Sequence, residues 1–153
     1  MKYAAAAVLT SCLTLYLSPV AFSAKGDGQA GKVTNYKGLE ITPTGIERAM
    51  NVALIDCPPG SNTVRGNAKP GEEFAVVTLA FKVTPAFKET IVKKPVLTDS
   101  EGKPYNTSVA IIDPASVPEY KCSFPFRVPA GTKVASVQID SAKIDVSGLE
   151  TKK

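Results

Sequence analysis

The sequence predicts an all-β sandwich of about seven to eight strands behind a cleaved leader. Three observations lead there. Apolar residues in the body of the chain recur at every second position, clusters of Gly, Pro, Asn, Asp and Ser separate these short runs, and no long amphipathic helical stripe interrupts them.

The leader comes first. Lys2 supplies a positive start, residues 4–20 are mostly apolar, and Ala21-Phe22-Ser23-Ala24 closes the run with small residues. That is the layout of a secretory signal peptide. Ser11, Thr14, Ser18 and Pro19 interrupt the run too often for a transmembrane span. Cleavage wants small side chains three residues and one residue before the cut. Cutting after Ser23 meets this with Ala21; cutting after Ala24 places Phe22 there and fits less well. Leu9-Thr10-Ser11-Cys12 resembles a lipobox, but lipidation at Cys12 would leave the apolar segment Leu13 to Phe22 on the mature chain, so we read against a lipoprotein. The expected organisation is a signal peptide at 1–24, a flexible glycine-rich lead-in at 25–37, a sandwich at 38–148 and a tail at 149–153, with the product periplasmic or extracellular.

Within the sandwich, Gly38-Leu39-Glu40-Ile41 and Ile46 to Ile55 read as strands with a break near Pro43-Thr44-Gly45. Cys57-Pro58-Pro59-Gly60 through Pro70-Gly71 reads as one long loop. Glu72 to Thr84 is the strongest strand. Ala75, Val77, Leu79, Phe81 and Val83 share one face, and Phe74, Val76 and Ala80 make the other partly apolar, as in a central strand. Val96-Leu97-Thr98 and Tyr105-Asn106-Thr107 flank Asp99-Ser100-Glu101-Gly102, a hairpin with Gly at the left-handed position. After a second loop, Asp113 to Pro118, residues Tyr120, Cys122, Phe124, Phe126 and Val128 alternate with polar neighbours. Pro125 lies on the outward face and cannot donate to a ladder, which implies a bulge or an open edge there. Val134 to Asp140 and Lys143 to Val146 close the domain.

Composition narrows the chemistry. The 153 residues carry 18 Lys and Arg against 14 Asp and Glu, a net charge of +4, with no His, no Trp and three Cys. The charges are scattered and the longest basic block is Lys93-Lys94, so nucleic acid is not an expected partner. Loss of Cys12 with the leader leaves Cys57 and Cys122, an even count that reads as one structural disulfide in an exported chain. Without a Cys-x-x-Cys or a His, a redox or metal role for this pair has little support, and no cofactor or metal is expected.

Three segments in order resemble a known family: Pro70-Gly71-Glu72-Glu73-Phe74 through Phe81-Lys82, Leu97-Thr98-Asp99-Ser100-Glu101-Gly102-Lys103-Pro104-Tyr105, and Phe126-Arg127-Val128-Pro129-Ala130-Gly131-Thr132-Lys133. Together they resemble the telokin-like, immunoglobulin-like family of unknown function found in bacterial secreted proteins and lipoproteins. The resemblance covers roughly Gly38 to Val146. It implies an immunoglobulin-like sandwich with a binding or adaptor role, and it carries over no catalytic residue. The loop after Cys57 is longer than the family suggests, and the Cys pair is not a general family feature. Tyr120-Lys121-Cys122 also mimics the Tyr-x-Cys of an antibody-type tyrosine corner. With no Trp in the chain and Cys57 beside Pro58-Pro59, we read Tyr120 as a core aromatic.

Motifs with catalytic spellings have simpler readings. Gly26-x-Gly28-x-x-Gly31 and the following Lys32 imitate phosphate-binding loops but lack the preceding strand that aims amides at phosphate. Ser100-x-x-Lys103 falls in a hairpin rather than on a helix turn. Paired carboxylates could support hydrolysis at Glu72-Glu73, Asp99/Glu101 or Asp113/Glu119. Adjacent strand residues point to opposite faces, however, and the other acids flank turns.

The expected function is therefore non-catalytic binding of an envelope protein or polymer, with contact residues Pro58, Pro59, Asn62, Arg65, Asp113 and Glu119 on the two long loops. A periplasmic inhibitor presenting Cys57-Pro58-Pro59-Gly60 to a hydrolase is the next reading, and a carboxylate-dependent hydrolase the one from another class. Intact mass of the exported protein should show an N-terminus at Ala24 or Lys25 and the loss of both thiol hydrogens. Retention of residues 13–24, or free thiols at Cys57 and Cys122, would overturn these expectations.

Overall fold

The computed structural model describes residues 31–61 and 63–150. Ten strands occur among them and no helix: β1 (Thr34–Tyr36), β2 (Leu39–Ala49), β3 (Asn51–Leu54), β4 (Val64–Asn67), β5 (Glu72–Val83), β6 (Val96–Asp99), β7 (Pro104–Asn106), β8 (Glu119–Pro129), β9 (Val134–Ile139) and β10 (Ala142–Asp145). Two four-stranded antiparallel sheets, ordered β1-β2-β5-β8 and β10-β9-β6-β7, form a β-sandwich, and β3-β4 make a separate two-stranded ribbon.

The core follows the alternation in the sequence. Ala75, Val77, Leu79 and Phe81 of β5 and Cys122, Phe124, Phe126 and Val128 of β8 are buried. They share one apolar cluster with Leu97 of β6, Val137 and Ile139 of β9 and Ile144 of β10. Each large apolar side chain removed from water stabilises by about 1.5–3 kcal/mol, so these two long strands supply a large share of the fold's stability. As expected, β5 is central, between β2 and β8. The Phe81 ring stacks on Tyr120 with centroids 5.0 Å apart and meets Phe124 edge-on at 6.2 Å.

Several sequence expectations need correction. The break at Pro43-Thr44-Gly45 is a bulge inside a single strand: Pro43 pairs with Leu79, Gly45 pairs with Thr78, and Thr44 is the extra residue. The bulge reverses the alternation, so Ile41 and Ile46, five positions apart, both face the core. The lead-in does not extend to residue 37. Tyr36 and Leu39 pair across a two-residue turn in which Lys37 and Gly38 both have positive φ, 51° and 95°. That is the hairpin geometry whose twist matches the strands. A Cβ on Gly38 would lie 2.5 Å from the Phe87 nitrogen, so Gly is required by space as well as by φ. Gly31 is also held, donating to the Pro43 carbonyl at 2.8 Å, which takes its amide away from any phosphate. The tail starts later than 149, because Leu149 packs against the core and Glu150 bridges to Ile46. The remaining leader, lead-in and tail expectations, on 1–30 and 151–153, lie outside the described residues.

The stretch from Cys57 to Gly71 is not one loop, since β4 pairs with β3 inside it. Pro125 sits on an edge strand, as its missing N–H requires, but it is buried rather than solvent-facing. Its carbonyl accepts from the Thr107 hydroxyl at 2.9 Å.

One end of the sandwich is closed by Arg48. It donates to Glu73 at 3.1 Å, to the Thr132 carbonyl and to Glu150, and Glu73 also accepts from the Gly131 amide at 3.0 Å. A single guanidinium thereby joins β2, β5, the β8–β9 turn and the C-terminal segment.

Cys57 and Cys122 form a disulfide with Cα atoms 5.6 Å apart. It closes 65 residues and contributes roughly 4 kcal/mol in the chain-entropy treatment. The double variant Cys57→Ala/Cys122→Ala should lose stability of that order in urea unfolding, and wild type in reductant should lose a similar amount. An unchanged midpoint in both experiments would remove the bridge from the account of stability.

Candidate binding surface

The disulfide places Cys57 in the core, fully buried, where it forms an isolated parallel bridge with Ile111. The Cys57 amide donates to the Ala110 carbonyl at 2.9 Å, and the Ile112 amide donates to the Cys57 carbonyl at 2.7 Å. The Asp56 carboxylate accepts from the Ala110 amide at 3.2 Å. On the other side, Ile112 bridges antiparallel to Ile91. Three segments distant in sequence therefore lie side by side. Strand alternation sends Val92, Val109 and Ile111 inward, all buried, and leaves Ile91 79% and Ile112 52% exposed. Two neighbouring isoleucines are thereby left in water on this framework.

The expected contact residues distribute around this framework. Pro58, half-buried, and Pro59, exposed, follow Cys57, and the Cys57–Pro58 peptide is cis. Asp113 follows Ile112, is exposed and has φ 46°. The parallel pairing of Cys57 with Ile111 brings these two loops together. Arg65 does not join them; it lies on β4, opposite Ala53. Glu119 opens β8, opposite Lys82. Asn62 lies outside the described residues. Ile91 and Ile112 were not singled out from the sequence. Each sits beside a second β-branched or apolar residue, Val92 or Ile111, and a two-residue run does not say which member faces out.

Of the candidate carboxylates, Asp99, Glu73 and Glu72 are engaged in structure. Asp99 is buried and accepts from the Glu101 amide at 2.9 Å, the Lys103 amide at 2.8 Å and the Tyr105 hydroxyl at 2.9 Å. The hydrogen bond from the Lys103 amide leads in holding its pKa below the usual carboxylate value, joined by those from Tyr105 and Glu101. Burial, then the bond to Asp99, raises the Tyr105 phenol. Ser100 and Lys103 thus belong to a turn organised by Asp99. Glu73 is held by Arg48, and Glu72 lies 3.7 Å from Arg127. Among the described residues no group of three or more His, Cys, Asp or Glu is placed to hold a metal ion, and no helix is long and apolar enough to cross a membrane.

Tyr120 is a core aromatic and also makes the corner contact that the sequence reading set aside. Its ring is buried, and its hydroxyl donates to the Pro114 carbonyl, six residues upstream, at 3.0 Å. The second contact loop is thereby tied to β8. Burial pushes the Tyr120 pKa up to about 12 from 10.0. A folded-state pKa raised in this way contributes stability in full below pH 10 and loses it as pH rises through about 12. Tyr120→Phe should cost about 1–3 kcal/mol at neutral pH by leaving the carbonyl unpaired. The gap between wild type and variant should narrow between pH 10 and about 12 in urea titrations. A gap independent of pH across that window would show that the phenol is not buried as described.

No family model and no curated protein matches this chain. Among solved structures it is similar to an uncharacterized β-sandwich protein from Clostridium difficile 630, with 16% sequence identity, 74% of this chain and 87% of that chain covered, and a TM-score of 0.46.

Proposed function

We propose that this chain is an exported, non-catalytic binding domain of the bacterial cell envelope, in the telokin-like, immunoglobulin-like family, and that it contacts a protein partner through the surface formed by Pro59, Ile91, Ile112 and Asp113. The observation that carries the reading is the exposed Ile91–Ile112 pair on a framework held by the Cys57–Cys122 bridge. Exposed apolar neighbours cost solubility unless a partner covers them, and a rigid support reduces the ordering cost of binding. The leader supports export. The engagement of Asp99 and Glu73 in turn and end contacts supports binding over hydrolysis.

A photo-crosslinking residue at position 59 in envelope preparations tests the proposal, with position 123 on the exposed outer face of β8 as control. Position 59 should give a discrete adduct that position 123 does not. Adding Ile91→Asp and Ile112→Asp should reduce that adduct by tenfold or more, since each isoleucine contributes about 1.5–3 kcal/mol when buried. Equal adducts from both positions, or an adduct indifferent to the two isoleucines, would exclude this surface.

A further inference from the structure

The β3–β4 ribbon has two different faces. Val52, Leu54 and Gly66 lie on one, directed at the body of the protein. Leu54 packs against the core, and a Cβ on Gly66 would come within 3.3 Å of the Phe74 ring and 3.2 Å of Val52. The opposite face carries Asn51, Ala53, Thr63, Arg65 and Asn67, which together with Val52 line a groove of about 410 Å³. The register explains the hollow. Asn51 pairs with Asn67 and Ala53 pairs with Arg65, so a methyl group stands opposite the longest side chain and leaves space beside the guanidinium. The ribbon is held in place by the Ala68 amide on the Met50 carbonyl at 2.8 Å and by Arg127 on the Asn67 carbonyl at 2.9 Å.

The chemistry of this face is specific. Arg65 has no ion-pair partner among the described residues, and no acidic side chain lines the groove. Two amides and a hydroxyl stand beside it, offering both donors and acceptors. One guanidinium fork matches the two oxygens of one carboxylate, whereas a phosphate dianion calls for more positive charge than this groove holds. The exposed amides and hydroxyl can each donate to and accept from a sugar hydroxyl, a complementarity that a carboxylate alone offers only as an acceptor. We propose that the outer face of the ribbon binds a uronic acid unit of an acidic polysaccharide, with Arg65 taking the carboxylate and Asn51, Asn67 and Thr63 taking the hydroxyls. This site shares no residue with the isoleucine surface.

The test uses the full exported chain with its disulfide intact and uronate trisaccharides (galacturonate, glucuronate and mannuronate) as probes, followed by amide chemical shifts. At least one trisaccharide should shift residues 51–53 and 63–67 selectively, and its methyl ester should not. Arg65→Gln should weaken that binding about tenfold, Arg65→Lys less, and Asn51→Ala/Asn67→Ala should weaken it while leaving salt dependence in place. Unchanged shifts elsewhere in each variant would show that the fold is retained. The proposal is overturned if none of the three binds, if shifts spread over the lysine-bearing surface instead, if the methyl ester binds equally, if a glycerol phosphate trimer binds as tightly, or if Arg65→Gln retains full affinity.

Discussion

Strand β8 pairs with β5 along one side and reaches its other side with no further strand of its own sheet, and much of the chain is arranged to fill that edge. An uncovered edge of this length, with five apolar side chains pointing into the core, would invite pairing with another chain. Pro125 removes one donor from it. Thr107 bridges to Phe126 and bonds the Pro125 carbonyl, Arg127 reaches the Asn67 carbonyl, and Cys122 fastens Cys57 from the core side. The disulfide is one of several fastenings on one strand, and it is the one that does not depend on water being excluded.

The same logic places the exposed features. Segments that cross from one sheet to the other must satisfy their own backbone groups. Residues 56–57 and 110–112 do so by bonding to each other. Alternation then buries one side chain of each adjacent pair and exposes the next, so Ile111 is covered and Ile112 is not. The exposed isoleucines result from a pairing made for backbone reasons, on a support that packing and a covalent bond keep still. Arg48 does the corresponding work at the far end, where one side chain satisfies three partners and holds the C-terminal segment on the sandwich.

How much of this could be read beforehand depended on how many side chains each element commits to the core. Strands β5 and β8 place four or more apolar residues in strict alternation, and both were legible with their faces. The β6–β7 hairpin was legible from its turn chemistry, because Gly102 adopts φ 85° where a left-handed residue was expected. β4, Val64-Arg65-Gly66-Asn67, has one large apolar residue, and that residue is exposed; it is a strand because its backbone pairs with β3, and backbone pairing leaves little mark on composition. β1 is short and polar at its first two positions for the same reason. The bulge at Thr44 reads locally as a break, since only its partner Thr78 shows that the strand continues. Arg65 was legible as an exposed cation on a loop, but not as a member of a strand whose pairing with β3 sets it beside Asn51 and Ala53.

The isoleucine surface and the ribbon are joined through Cys57. β3 runs from Asn51 to Leu54, and two residues later the chain reaches Asp56, Cys57 and Pro58. A bond that fixes Cys57 therefore fixes the C-terminal end of β3 and the N-terminal end of the proline loop together. Hydrogen bonds at Ala110 and Ile112 extend that constraint to the second loop, and Tyr120 extends it to Pro114. The bridge acts together with buried Val109, Ile111 and Tyr120, which anchor the same segments in the core. A disulfide at this position fits the oxidising compartment to which the proposed export would bring the chain.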